Sequence, residues 1–206
     1  MQISNASLGE QVAHELRLRI FHGALPGGEL LIEGTLSGEF GVSRGPIRDA
    51  LTELREDGLA VPHGRSLRVV EIDGDLITEL YELRAALETY SIDRALRRCA
   101  DLSDAHRALA AMSHAAERGD SAAFNEADLA FHGTFFAAGG PVVQAHFWSV
   151  FQRVLKAVLD VNPHPGGDLD RAVVAHRRLL AEVEAHGDWR TLFAAHMAEA
   201  LARVRG

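Results

Sequence analysis

Asp128 and His132 stand one helical turn apart. At i and i+4 both side chains project from one face of a helix, close enough to share a ligand. His176 lies in the middle of a later helical stretch. His196 lies on the last one, with Glu199 three residues further along the same face. A carboxylate and imidazoles delivered from three facing helices can hold a divalent metal in the core of a bundle. Mixed nitrogen and oxygen donors suit Zn²⁺, Ni²⁺, Mn²⁺ or Fe²⁺ without choosing among them. The expected cofactor is one such ion per chain. A histidine alone on a helix is more often a surface or core residue. Of the 11 in the chain, His22, His106, His114, His146, His164 and His186 are read that way.

Arg84 sits among Leu80, Leu83 and Leu87. Its guanidinium either pairs with Glu88, one turn on, or meets the carboxylate of a bound ligand, which its fork geometry suits. Tyr81 and, on a later helix, Gln152 and Arg153 are candidates to line the same pocket.

A second cluster of chemistry-bearing residues occupies Leu36 to Val61, LSGEFGVSRGPIRDALTELREDGLAV. Gly41 marks a sharp turn between two short helices, Ser43 is a suitable N-cap, and Pro46 falls in the first turn of the second helix. Ile47, Leu51 and Leu54, with Ala50, form an apolar face, and Arg44, Arg48, Asp49, Thr52 and Arg55 fall largely on the other side. A short helix that is apolar behind and carries arginines at its N-terminal front has what major-groove reading requires. Leu59 to Val61 and Leu67 to Val70 read as two strands around a Pro62 to Ser66 loop. This is the layout of a winged helix-turn-helix.

Other elements must position these groups. Ser7 to His22 is expected to be a helix with an apolar stripe of Leu8, Val12, Leu16 and Ile20, and Leu30 to Ile32 a small strand or extended entry. From Asp75 onward no strand signal is found. Helices are expected over 75–99, 102–118, 121–138, 141–161, 168–186 and 188–204, separated by Gly- and Pro-containing breaks, including Asn162 to Gly167. Alanine and leucine dominate them, and short loops imply an antiparallel bundle.

The chain has 206 residues, a hydrophobic fraction of 47% and one cysteine, Cys99. An intramolecular disulfide is excluded and a reducing cytosol is the natural setting. No signal peptide and no apolar run of the ~20 residues needed to span a bilayer is present, so a cytoplasmic protein is expected. The formal net charge of −8 speaks against a generally basic nucleic-acid binder. Five arginines nevertheless lie between Arg44 and Arg68. Phosphate contact needs a local basic patch rather than a basic protein. Weak non-specific binding and dependence on a dimer follow.

Residues 8–72 resemble the winged-helix domain of GntR-type bacterial transcription regulators. The resemblance rests on Gly23-Ala24-Leu25-Pro26-Gly27-Gly28-Glu29-Leu30, Glu33, Gly41-Val42-Ser43-Arg44-Gly45-Pro46-Ile47-Arg48-Asp49-Ala50-Leu51 and Asp57-Gly58-Leu59. It implies that Arg44 and Arg48 contact operator DNA, with Ser43 and Thr52 beside them, and that the wing tip His63-Gly64-Arg65 reaches the minor groove. Where the family often has a further basic residue, this chain reads Glu33-Gly34-Thr35. Leu80 to Glu88, Asp128 to His132 and Ala175 to Leu180 resemble the effector-binding FCD domain of the FadR subgroup. That implies a metal held by one Asp and three His, with positions left for a carboxylate effector. The interval from His176 to His196 is shorter than the family spacing, which leaves Glu199 as a competing fourth ligand; His196 is the closer chemical match.

The expected fold is mainly α: a winged helix-turn-helix over residues 1–72 and an all-α antiparallel bundle over residues 73–206. The expected function is that of a homodimeric regulator, a repressor rather than an enzyme, binding a palindromic operator under control of a small organic acid. The alternative is a metal-dependent enzyme or a metal sensor built on the same bundle.

Overall fold

The computed structural model describes residues 7–143, 147–162 and 168–205. His146, His164 and the rest of residues 163–167, expected as a break, lie outside these residues. The chain divides into two compact units, Met1–Asp73 and Gly74–Gly206.

In the first unit, helix α1 (Leu8–Phe21) starts from a capping box: Ser7 Oγ accepts from the Glu10 amide and Glu10 accepts from the Ser7 amide. Strand β1 (Leu30–Leu31), α2 (Glu33–Phe40) and α3 (Arg44–Glu56) follow, then strands β2 (Ala60–His63) and β3 (Ser66–Val69). The antiparallel sheet has the order β1-β3-β2. The core is formed by Val12, Ala13, Leu16 and Ile20 of α1, Leu36 of α2, Ile47, Ala50, Leu51 and Leu54 of α3, and Leu59. One expectation for α1 is corrected: Leu8 is exposed, while Val12, Leu16 and Ile20 are buried as expected; Arg17, for which no role was expected, is buried beside them. Arg17 donates to Asp57 and Glu53, both at 2.7 Å, and so ties α1 to the end of α3.

The wing differs from its sequence reading. Pro62 pairs with Leu67 and His63 with Ser66, which leaves Gly64-Arg65 as a two-residue turn rather than a five-residue loop. Gly64 makes this possible by adopting φ 60°. Pro62 is tolerated because β2 is an edge strand.

The second unit is all α: α4 (Gly74–Arg97), α5 (Ser103–Glu117), α6 (Ser121–Gly139), α7 (Pro141–Val143), α8 (Ser149–Val161), α9 (Asp168–Glu184) and α10 (Trp189–Arg205). Helix α6 is central. It packs on α4, α5 and α8, and α9 and α10 complete the bundle against α4 and α5. Phe124, Phe131 and Phe135 of α6 meet Met112, Leu179, Trp189 and Phe193 in the core. Over the expected helix 141–161, every described residue is helical. A π-type turn at Phe147-Trp148 precedes α8. Trp148 is buried there, stacked on Phe136 with centroids 4.6 Å apart and packed onto Gly133, where a Cβ would lie 2.9 Å from its Nε1. No helix among the described residues is long and apolar enough to cross a membrane.

Candidate metal centre and nucleic-acid interface

The bundle brings Asp128, His132, His176 and His196 together from α6, α9 and α10. The ligand atoms of the three histidines lie within 4.8 Å of one another. His132 Nε2 is 3.3 Å from His176 Nε2 and 3.3 Å from His196 Nε2. Asp128 Oδ1 is 2.9 Å from His176 Nε2 and 3.9 Å from His132 Nε2. Such spacings, about 3 Å, are those between neighbouring ligands of one first-row ion.

Two of the rings are held by their far nitrogens. Nδ1–H of His132 donates to Glu88 Oε1, and Nδ1–H of His176 donates to the Ala172 carbonyl one turn back at 2.7 Å. With those protons engaged, both Nε2 atoms present lone pairs to the same point, where only a cation or a shared proton relieves them. His132 and Glu88 are fully buried and His176 nearly so.

Electrostatics favour the same donor state. Burial, reinforced by Arg84, depresses the His132 imidazole well below the usual histidine range. Burial, then His176 and His132, does the same for His196. Both rings are therefore neutral at pH 7, as a ligand must be. Burial alone would raise the Asp128 carboxyl, but the His176 hydrogen bond, the neighbouring imidazoles and the Arg84 guanidinium hold it well below the usual range. Burial pushes Glu88 up to about 8 against the pull of Arg84.

The cluster opens on a cavity of about 640 Å³ between α4, α6, α8, α9 and α10, lined by Arg84, Asp128, His176 and His196 among others. Arg84 is 2% exposed; its Nε is 3.5 Å from Glu88 Oε2, and neither Nε nor Nη2 makes a hydrogen bond among the described residues. The hydroxyl of buried Tyr81 also has no such partner, and Tyr81 lies outside the lining. Gln152 is exposed, Arg153 is half-buried, and neither lines this cavity. The inward stripe of α8 is Val154, Leu155, Ala157, Val158 and Leu159, which turns Gln152 and Arg153 away, so their proposed place in the pocket is corrected. Glu199 lines the cavity but is exposed and paired with Arg171 at 2.8 Å, away from the imidazole cluster.

Sequence reasoning missed Glu88 as the partner of His132, and missed Arg178 and Arg203 on the cavity wall. Arg203 carried a signal, seven residues after His196 on one helix face.

On the first unit, α3 exposes Arg44, Arg48 and Thr52 opposite its buried face. Ser43 occupies the N-cap position without making a side-chain cap bond, contrary to the role expected of it. Thr52 Oγ1 donates to the Arg48 carbonyl at 2.8 Å. His63, Gly64 and Arg65 are exposed at the wing turn.

The profile described as "Bacterial regulatory proteins, gntR family" matches residues 8–69, and that of the FCD domain matches residues 79–202. The chain belongs to the gntR family and carries an FCD domain. This gntR-family chain is 30% identical over 159 residues to the gluconate operon transcriptional repressor of Bacillus subtilis, across 76% of the chain and 65% of that repressor's length. It thus spans about two thirds of that relative. Among solved structures, a GntR transcriptional regulator from Rhodococcus sp. RHA1 superposes with TM-score 0.70 at 22% identity, covering 97% of this chain and 98% of that one. E. coli McbR/YncC superposes with TM-score 0.69 at 22% identity, covering 97% of each. These two likenesses establish the fold.

Proposed function

We propose that this gntR-family protein is a homodimeric DNA-binding transcription regulator of the FadR subgroup. It acts as a repressor whose operator affinity is set by a small carboxylate bound beside a divalent metal. The observation that carries this reading is the convergence of three imidazole Nε2 atoms and the Asp128 carboxylate on the wall of a cavity that also holds the Arg84 guanidinium.

Asp128, His132, His176 and His196 would hold the ion, and Glu88 would orient His132. The ion, when bound, supplies a Lewis-acid position that takes a carboxylate oxygen. Arg84, buried and with Nε and Nη2 making no hydrogen bond, supplies donors for the same anion. Glu88 meets this buried guanidinium only at 3.5 Å and takes no hydrogen bond from Nε or Nη2, so an anion in the cavity is a natural further partner. A volume of about 640 Å³ lies in the range of small-molecule sites and far exceeds an ion, which favours a bound metabolite as the signal over the metal alone. The Bacillus subtilis relative is named for a gluconate operon, and gluconate is a carboxylate.

On the DNA side, Arg44 and Arg48 would enter the major groove, Ser43 and Thr52 would approach the backbone, and His63-Gly64-Arg65 would follow the adjacent minor groove. Two copies would read a palindromic site. The effector changes operator affinity only by binding one arrangement of the dimer better than another.

Selection of duplexes from a random library, followed by titration of the selected duplex with and without added carboxylates, tests the reading. Arg44→Ala and Arg48→Ala should each lower sequence-selective binding about tenfold or more, and one class of small carboxylate should shift the wild-type titration. Selective binding that survives both substitutions would remove the DNA role of α3.

A further inference from the structure

Glu33 opens α2, and its Oε2 accepts from Nε of Arg48 at 2.9 Å, 15 residues further on in α3. The pair lies on the surface, with Arg48 63% and Glu33 39% exposed. An isolated surface pair contributes little to stability. Its consequence is geometric. The guanidinium is planar, and guanine is read by two parallel N–H groups of one fork, to O6 and N7. Glu33 engages Nε, the side of the fork, and so fixes the plane. Nη1 and Nη2 make no hydrogen bond or ion pair among the described residues and remain available as a two-pronged end. Arg44, one turn earlier, has no such acidic partner among the described residues.

The geometry points to Glu33 as a specificity-determining positioning residue, which orients Arg48 to read one base pair bidentately instead of contacting phosphate. As the groove closes on the pair and excludes water, the Glu33–Arg48 attraction strengthens, so the constraint tightens when the base is read. A carboxylate at a DNA face could act otherwise, by repelling the phosphate backbone. Repulsion weakens binding to every duplex alike, because phosphate contacts carry no sequence information. Positioning changes the ratio between right and wrong duplexes. The inference rests on the DNA-binding reading above, and the experiment separates the two.

Wild type, Arg48→Ala, Glu33→Ala and Glu33→Gln are each put through selection from a random duplex library. Each is then titrated by fluorescence anisotropy against the wild-type-selected duplex and a scrambled duplex of the same composition. Arg48→Ala and Glu33→Ala should lose preference at the same base pair, with discrimination falling about tenfold or more. Glu33→Ala should bind the scrambled duplex at least as well as wild type does, having lost a negative charge. Glu33→Gln keeps an oxygen acceptor for Nε and should retain most of the preference. If Glu33→Ala tightens both duplexes alike with its sequence preference intact, the carboxylate only repels and the positioning role is overturned. If wild type selects no sequence at all, the DNA-binding reading fails and this inference with it.

Discussion

The Nε2 atoms of His132 and His196 lie 3.3 Å apart although 64 positions separate the two residues in the chain. His132 is fixed from behind by Glu88, itself 44 positions away on α4. The geometry of the cluster is therefore a property of how α4, α6, α9 and α10 pack together in the bundle. Glu88→Gln should lower metal affinity about 10–100-fold, the usual effect of losing a carboxylate behind a ligating histidine. Competition with a chromogenic chelator measures this. Unchanged affinity would mean that Glu88 serves only the charge of Arg84.

Arg84→Met should leave metal content intact and remove the response to carboxylates. The substitution fills the space while deleting the donors that Nε and Nη2 leave without hydrogen bonds. Arg84→Lys should not restore the response, since a point charge does not replace a planar fork. Thermal shift against a panel of small carboxylates, read beside elemental analysis of the same samples, checks both halves.

Much of this could be read in the chain because it is local. The turn at Gly41, Pro46 in the first turn of α3, and the spacing of Ile47, Leu51 and Leu54 announce the helix-turn-helix from within 15 or so residues. The bundle helices declare themselves by their breaks, and Asp128 and His132 by sitting one turn apart. What depended on distant partners was not visible. The burial of Arg17 beside the apolar stripe of α1 could not be read locally, because its partners, Glu53 and Asp57, lie at the far end of α3. Glu88 had a local partner at Arg84 and gave no sign of the histidine across the bundle. Gln152 and Arg153 were misjudged because periodicity defines the faces of α8 without saying which face meets the cavity.

Arg17→Met should destabilise the first unit by about 3 kcal/mol or more. The Asp57 side chain is fully buried and loses its guanidinium partner; deleting one member of a buried pair leaves the other's desolvation uncompensated. Hydrogen exchange resolves the effect by region. The amides of α1 and α3 should exchange faster while those of α6 do not. An effect under about 1 kcal/mol would show that water reaches Asp57 as readily as it reaches a surface carboxylate.

Burial raises the Tyr81 hydroxyl above its ordinary value of 10.0. A group whose native pKa is raised holds its proton more tightly when folded. Its contribution to stability is present below the unfolded value and is lost as pH climbs past it. Tyr81→Phe cannot ionise, and the hydroxyl it removes has no hydrogen-bond partner among the described residues. The variant should match wild type in urea midpoint at pH 8 and fall less steeply above pH 10. Parallel alkaline limbs for the two proteins would place Tyr81 in contact with water.

Elemental analysis of untagged protein, purified without chelator, tests the metal centre most directly. About one equivalent of a transition metal per chain is expected in wild type and in Glu199→Gln, with loss in His132→Ala, His176→Ala and His196→Ala. Metal-free wild type that also fails to take up added Zn²⁺ or Ni²⁺ would contradict the centre, and retention by His196→Ala with loss in Glu199→Gln would reassign its fourth ligand.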